Sequence, residues 1–133
     1  MTVGLAATSY ANKVLDHIHR AQASTAPAGN YLALHTGDPG AAGTSNAASV
    51  TTRAQVTFAA ASGGSIASNN TPTWSNWAGT SPTTVTHFSN WDASTTGTFL
   101  NSFALTSSKT VQTGDSLTSA SGAIVVSLAP IAA

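Results

Sequence analysis

The side chains in this sequence that could bind a metal ion or exchange protons are few and scattered. The chain has four histidines and four aspartates, and it has no cysteine and no glutamate. His17 and His19 are two residues apart on a predicted helix, which separates them by about 200° around its axis. No pair of histidines has the spacing of a zinc-binding helix, and no carboxylates are clustered. We therefore expect no metal site and no cofactor, and we interpret the histidines as structural.

The residues needed for covalent or hydrolytic catalysis are not grouped either. Serine is abundant, but no G-x-S-x-G motif is present, and Ser116 lies in a turn sequence. Glycoside hydrolysis usually needs a pair of carboxylates, which here would require at least two of Asp38, Asp92 and Asp115 to meet in the fold. Gly63 and Gly64 precede neither a helix nor a lysine, so they do not form a phosphate-binding loop. The sequence predicts that the protein is not an enzyme.

Three tryptophans are many for a chain of this length, and they leave two interpretations open. Trp91 lies in a predicted strand and is expected in a core or an interface. Trp74 and Trp77 lie in a segment rich in Asn, Pro and Thr. If exposed, these two could anchor a protein interface or form a platform for a sugar, and if buried they belong to the core.

Sparse charge is the most informative feature of the composition. Only 6% of the 133 residues are charged and the formal net charge is zero, whereas about 25% is usual in soluble domains. The surface is therefore either coated with hydroxyls and amides or covered by partners. Four scattered basic residues argue against nucleic acid, because several clustered cations are needed to neutralise phosphates. No apolar stretch approaches the roughly 20 residues of a membrane span, and the N-terminus lacks the pattern of a signal peptide.

A short amphipathic helix is predicted near the N-terminus, over about residues 9–21. Ala11, Val14, Leu15 and Ile18 follow the helical spacing of an apolar face. Ser9 is placed as the N-cap. The apolar stripe is narrow, so we expect this helix to dock on another surface, with Val14, Leu15 and Ile18 as contacts. Residues 21–30 are expected to form a linker.

The strongest strand signal is a hairpin over residues 84–105. Two runs rich in Val, Thr, Phe and Trp flank a cluster of turn formers at 92–97. Because strand side chains alternate between two faces, the hairpin needs another layer to cover its apolar side. It is therefore expected at the centre of a larger β-structure.

Shorter strands are predicted on both sides of this hairpin, with a turn signal about every 8 to 15 residues. The last of them, 123–128, is almost continuously apolar, as expected for a strand that is covered on both faces or lies in the core of a sandwich. The pattern predicts one mainly β domain over residues 1–133, an antiparallel β-sandwich or jelly roll of seven to eight short strands with one N-terminal helix. The remaining predicted strands are 31–36, 52–60, 65–67, 107–113 and 115–118.

Several blocks of the sequence, in their order and spacing, resemble a family of small bacteriophage virion proteins often labelled tail fibre proteins. The blocks are KVLDHIHR, TAPAGNYLALHTGDPG, RAQVTFAAAS, VTHFSNWDASTTGTFLNSFALTSSKTVQTGDSL and GAIVVSL. The resemblance covers most of the chain. It implies a β-sandwich structural subunit of the virion, assembled in the cytoplasm of the host bacterium, and it provides no catalytic residues.

The resemblance leaves two functions to be distinguished. Because the chain is short and has no repeats, it fits the shape of a long fibre poorly and also resembles capsid decoration proteins. Our first hypothesis is a capsid decoration or cement subunit, a homotrimer that binds the major capsid protein lattice. Residues 1–8 and 41–50 would join the helix in these contacts. The alternative is a tail-associated host-recognition module in which Trp74 and Trp77 contact a cell-surface glycan or receptor.

Overall fold

A computed structural model describes residues 3–128 of the chain, and within this range the protein is mainly β. Every strand pairing is antiparallel. A π-helical turn, Ala7–Ala11, leads into the helix α1, Asn12–His19. The eight strands described are β1 Tyr31–His35, β2 Ala54–Gln55, β3 Ser65–Ala67, β4 Thr73–Trp74, β5 Thr83–Trp91, β6 Phe99–Val111, β7 Leu117–Thr118 and β8 Val125–Ser127. The expectation of a mainly β, antiparallel fold with one short N-terminal helix is confirmed.

The predicted hairpin forms the centre of the largest sheet, whose strand order is β2-β1-β5-β6. β5 pairs with β6 along its length, with irregularities between Val85 and His87 and between Asn90 and Trp91. β1 pairs with the other edge of β5, so that Leu34 lies opposite Phe88. The prediction of a central hairpin was therefore correct, although β6 continues to Val111. The separate strand predicted at 107–113 is the second half of β6.

Of the two smaller ribbons, β3–β8 and β4–β7, it is β4–β7 that contributes strand residues to the hydrophobic core of this sheet. Trp74 from β4 stacks on Phe88 from β5, with ring centroids 5.7 Å apart and planes 17° from parallel. Leu117 from β7 and Ile124, next to β8, are buried in the same cluster. The large sheet and the β4–β7 ribbon thus bury a shared apolar interior, as expected for a layered β-domain.

The predicted strand at 52–60 is mostly irregular, because its backbone changes partners along its length. Only Ala54 and Gln55 pair with β1. The N–H of Val56 then donates to the carbonyl of Asn30, and the N–H of Thr57 donates to the side chain of Asn70. Phe58 forms an isolated bridge with Ser68. The alternating pattern of this segment reflects alternating burial, and the segment carries the chain from the large sheet to the β3–β8 ribbon.

The N-terminal helix is shorter than predicted, and Ser9 does not cap it. The Ser9 hydroxyl donates instead to the backbone carbonyl of Phe99, which ties the π-helical turn to β6. The N–H of Ala6 donates to the carbonyl of Leu100 in the same region, at 2.8 Å. α1 ends at His19, and Ala21 has a positive φ of 51° that breaks the helical path. Residues 21–30 contain no helix or strand.

The prediction that the last strand is covered on both faces was wrong. Ile124 is buried, but Val125 is 47% exposed and Leu128 is 50% exposed. Among the described residues the strand pairs only with β3, and no other element packs over the side chain of Val125 closely enough to bury it.

Candidate interaction surface

The apolar face of α1 is the most exposed hydrophobic surface on the described part of the chain. Leu15 is 56% exposed and Ile18 is 68% exposed, and no residue of the helix is fully buried. Val14 is half-buried, because it turns towards a cavity under the N-terminal segment. The three predicted contact residues therefore lie on one short helix, with two of them uncovered. A contiguous apolar face of this kind is typical of a contact surface.

Trp74 and Trp77 are both buried, with 4% and 2% of their surface exposed. The indole N–H of Trp74 donates to the carbonyl of Thr52 at 2.8 Å, and that of Trp77 donates to the carbonyl of Thr80 at 2.9 Å. Their rings pack in the core and their polar atoms are satisfied within the chain. The two rings were expected to contact a sugar or a receptor only if they were exposed. Because both are buried, they cannot make such a contact in this fold.

A serine and a histidine lie at hydrogen-bonding distance in the interior, which the sequence did not reveal. His35 Nε2 is 2.7 Å from Ser89 Oγ, and His35 Nδ1 is 2.8 Å from the carbonyl oxygen of Ser45. The indole N–H of Trp91 donates to Ser89 Oγ at 2.8 Å. Ser89 is 0% exposed and His35 is 2% exposed, so a substrate has no path to this pair. Burial is the main factor that lowers the pKa of His35, and a smaller opposing effect comes from the Ser45 carbonyl.

Arg53 fixes the turn of the central hairpin. One guanidinium nitrogen donates to the carbonyls of Ala93 and Thr96, at 2.8 and 2.6 Å. The guanidinium lies 4.2 Å from the centroid of the Trp91 ring, within the range of a cation–π contact. Desolvation lowers the pKa of Arg53, and the nearby charge of Asp92 partly opposes this. This basic residue therefore serves the architecture of the hairpin.

Three of the four aspartates are used in three separate turns. Asp38 accepts from the N–H of Gly40 at 2.8 Å, Asp92 from that of Thr98 at 2.7 Å, and Asp115 from that of Gln112 at 2.9 Å. Asp16 pairs with Arg20 on the exposed side of α1. Within residues 3–128, no three histidine or acidic side chains come together in a way that could hold a metal ion. No helix in that range is long and apolar enough to cross a membrane.

The loop at 41–50 packs onto the protein more closely than its small residues suggested. Gly43 is buried and has a φ of +73°, and a Cβ at this position would overlap the ring of Phe99. Ala48 is also buried, and its N–H donates to the carbonyl of Leu34. Only part of this loop is therefore available for contact with another molecule.

A cavity of about 390 Å³ lies beside α1, between the N-terminal segment, residues 24–30 and the end of the central hairpin. Asn90 and Asn101 form part of its lining, and Tyr10 and Phe58 add aromatic rings. Asn90 is 2% exposed, and its Oδ1 atom has no hydrogen-bond partner. No local pattern in the sequence indicates this site, because its lining comes from segments that are distant along the chain.

Comparison with known proteins identifies a family. Residues 6–127 match the family model described as "Podophage GP4 fiber I protein gp80". The match therefore covers α1, all eight strands and the loops between them. No curated protein matches the chain.

Proposed function

Because the chain belongs to the family of the podophage GP4 fiber I protein gp80, it is a structural component of a phage virion, and we propose that it is a tail-associated fibre subunit. The single observation that carries this proposal is the family match, which extends over residues 6–127 and refers to a fibre protein. It favours the tail-associated hypothesis over the capsid-decoration hypothesis, although decoration was the first expectation from the sequence. The predicted resemblance to small phage virion proteins of the tail fibre type is confirmed.

The role is structural and not enzymatic. The residues that could take part in catalysis have other uses in the fold: three of the four aspartates hold turns, the fourth pairs with Arg20, and the Ser89–His35 pair is enclosed. Because few reactive side chains are accessible, the subunit acts through the surfaces by which it contacts its partners. Those partners include other copies of itself and the neighbouring proteins of the tail.

The exposed face of α1, formed by Leu15 and Ile18, is the surface that contacts another copy of the chain. The eight residues of α1 span only about 12 Å, whereas a stable interface buries roughly 800 Å² on each partner. The helix would therefore supply the apolar centre of a larger contact. Because the net charge is zero, copies of the chain do not repel one another strongly as they approach.

Gold-labelled antibodies against the folded protein, imaged on intact virions by electron microscopy, test the location. We expect label at the tail and none on the capsid shell. Label distributed over the capsid surface would overturn the tail assignment and support decoration instead. Virions from a phage with the gene deleted serve as the control for antibody specificity.

A further inference from the structure

The N-terminal arm, residues 3–20, is joined to the large sheet along the outer edge of β6. β6 is the last strand of that sheet, and the arm adds to the first part of its free edge. Leu5 lies opposite Asn101 in an antiparallel bridge. The N–H of Ala6 donates to the carbonyl of Leu100 at 2.8 Å, and a second backbone bond of 2.9 Å runs from β6 to the arm. Main-chain bonds of this kind form with any copy of the chain that offers the same edge.

Little apolar burial holds the arm in this position. Ala6 is the single buried residue among residues 3–20. α1 contacts mainly the π-helical turn that precedes it, and that turn in turn contacts β6. Tyr10 and Val14 border the cavity beside α1, so they are not closely packed against the rest of the chain. An arm that lies on its own chain therefore leaves the apolar face of α1 uncovered.

The segment that follows the arm is long enough to carry it to another copy. Residues 21–30 contain no helix or strand, and residues 21–28 are all exposed. Ten residues span up to about 33–36 Å when they are extended. Ala21, at the start of the segment, has a φ of 51°, a conformation that alanine seldom adopts. Extension of the backbone at this hinge relieves that strain and moves the arm away from its own sheet.

We propose that the arm of one copy adds to β6 of a neighbouring copy, so that each chain gives one arm and receives another. This inference rests on the contact between copies proposed above and specifies its form. The bonds at β6 are the same within a chain and between chains, so they favour neither arrangement. Leu15 and Ile18 make the difference, because they are exposed when the arm lies on its own chain and are covered where the exchanged helices meet the neighbouring copy.

Engineered disulfides distinguish the two arrangements, because the chain has no cysteine of its own. Leu5 and Asn101 form a non-hydrogen-bonded pair, in which Cα atoms lie about 4.5 Å apart, a separation that a disulfide accepts. After oxidation, most of the Leu5→Cys/Asn101→Cys protein should run on a non-reducing denaturing gel as covalent dimers or larger closed oligomers. Thr84→Cys/Thr110→Cys is the matched control. These two residues face each other within the β5–β6 hairpin, with their Oγ1 atoms 3.0 Å apart, so this variant should run as a monomer.

A second measurement uses the unmodified chain, because Asn101 is buried and accepts a hydrogen bond from Asn90 that the cysteine would remove. Deuterated, ¹⁵N-labelled chains are unfolded and refolded together with an excess of protonated, unlabelled chains. The labelled chain carries no Cα protons. An NOE from the amide proton of Ala6 in the labelled chain to the Cα proton of Asn101 then arises only between copies, and we expect to observe it.

The proposal is overturned if the folded Leu5→Cys/Asn101→Cys protein is cross-linked only within monomers, or if the mixed sample lacks an NOE that a fully protonated sample shows. Where no disulfide forms, the NOE decides alone. Chains that associate in sedimentation without exchange would keep the proposed contact through α1 and lose only the exchange, whereas chains that sediment as monomers would overturn both. The position of the gold label on the virion depends on neither result.

Discussion

Ser89 and His35 show how a chemically suggestive pair can serve structure. Trp91 donates to Ser89, Ser89 is within bonding distance of His35 Nε2, and His35 Nδ1 faces the carbonyl of Ser45. Because a carbonyl only accepts, His35 must carry its proton on Nδ1, and Nε2 is then free to accept from the Ser89 hydroxyl. The chain of bonds is complete when the imidazole is neutral. It links β5 to β1 and to the loop that follows β1.

We expect the stability of the protein to fall as the pH falls below about 6.5, the ordinary pKa of histidine. Burial holds the pKa of His35 below this value in the folded chain. The unfolded chain therefore binds a proton at a pH where the folded chain does not, so acid favours unfolding. The stability contributed by neutral His35 is fully present above the pKa that this residue has in the unfolded chain. It is lost as the pH falls from there towards the lower pKa that His35 has in the folded chain. Urea unfolding midpoints measured between pH 7.5 and pH 5 check this expectation.

A histidine on the exposed surface provides the control for this prediction. His35→Gln should lower the stability at pH 7.5 and flatten its dependence on pH, because the buried titrating group is gone. His19→Gln, at an exposed position on α1, should leave both unchanged. The explanation is wrong if the dependence on pH survives in His35→Gln.

At the scale of secondary structure, one buried side chain joins the end of β3 to the turn that precedes β8. Ser68 is 3% exposed and follows β3 directly. Its hydroxyl oxygen accepts from the N–H groups of Gly122 and Ile124, at 3.1 and 3.3 Å, and its own N–H donates to the carbonyl of Ile124 at 2.9 Å. These bonds fix the turn that leads into β8.

Ser68→Ala should destabilise the protein by about 1–2 kcal/mol, because the N–H of Ile124 loses its buried acceptor, whereas the N–H of Gly122 keeps its bond to the backbone carbonyl of Ser68. Ser65→Ala is the matched control on the same ribbon: its hydroxyl bonds only to the exposed Ser127, and its loss should cost less than about 0.5 kcal/mol. Denaturant unfolding of both variants measures the difference. If both variants lowered the free energy of unfolding equally, the buried hydrogen bonds of Ser68 would contribute no more to stability than those of a surface serine.

Local patterns predicted the elements whose partners are close in the sequence. The β5–β6 hairpin was found because its strands and turn are contiguous, and α1 was found from its apolar spacing. The sequence could not reveal that Ser9 bonds to Phe99 or that the backbone at 56–58 changes partners, because both depend on distant residues. For the same reason, the cavity at Asn90 and the Ser89–His35 pair could not be predicted from local patterns.

On the scale of the whole molecule, sparse charge makes apolar contact the available means of association between copies. The chain has four basic and four acidic residues, and Arg20 and Asp16 already pair on α1. Arg53 is engaged at the hairpin turn. The large exposed apolar side chains of the described residues are Leu15, Ile18, Val125 and Leu128, on α1 and around β8.

We therefore expect self-association of the protein to be insensitive to salt. Raising the ionic strength from about 0.1 M to about 1 M shortens the Debye length from ~10 Å to ~3 Å, which would dissociate a complex held by surface charges. An interface centred on Leu15 and Ile18 has little charge to screen. The sedimentation coefficient of the associated protein should therefore not decrease when salt is added.

The double variant Leu15→Gln and Ile18→Gln should sediment as a monomer, since glutamine preserves helix propensity but removes the apolar face. Val125→Gln, which removes an apolar side chain of β8 that is 47% exposed, should associate as the unmodified chain does. Dissociation in salt, or loss of association in Val125→Gln alone, would place the contact elsewhere on the molecule.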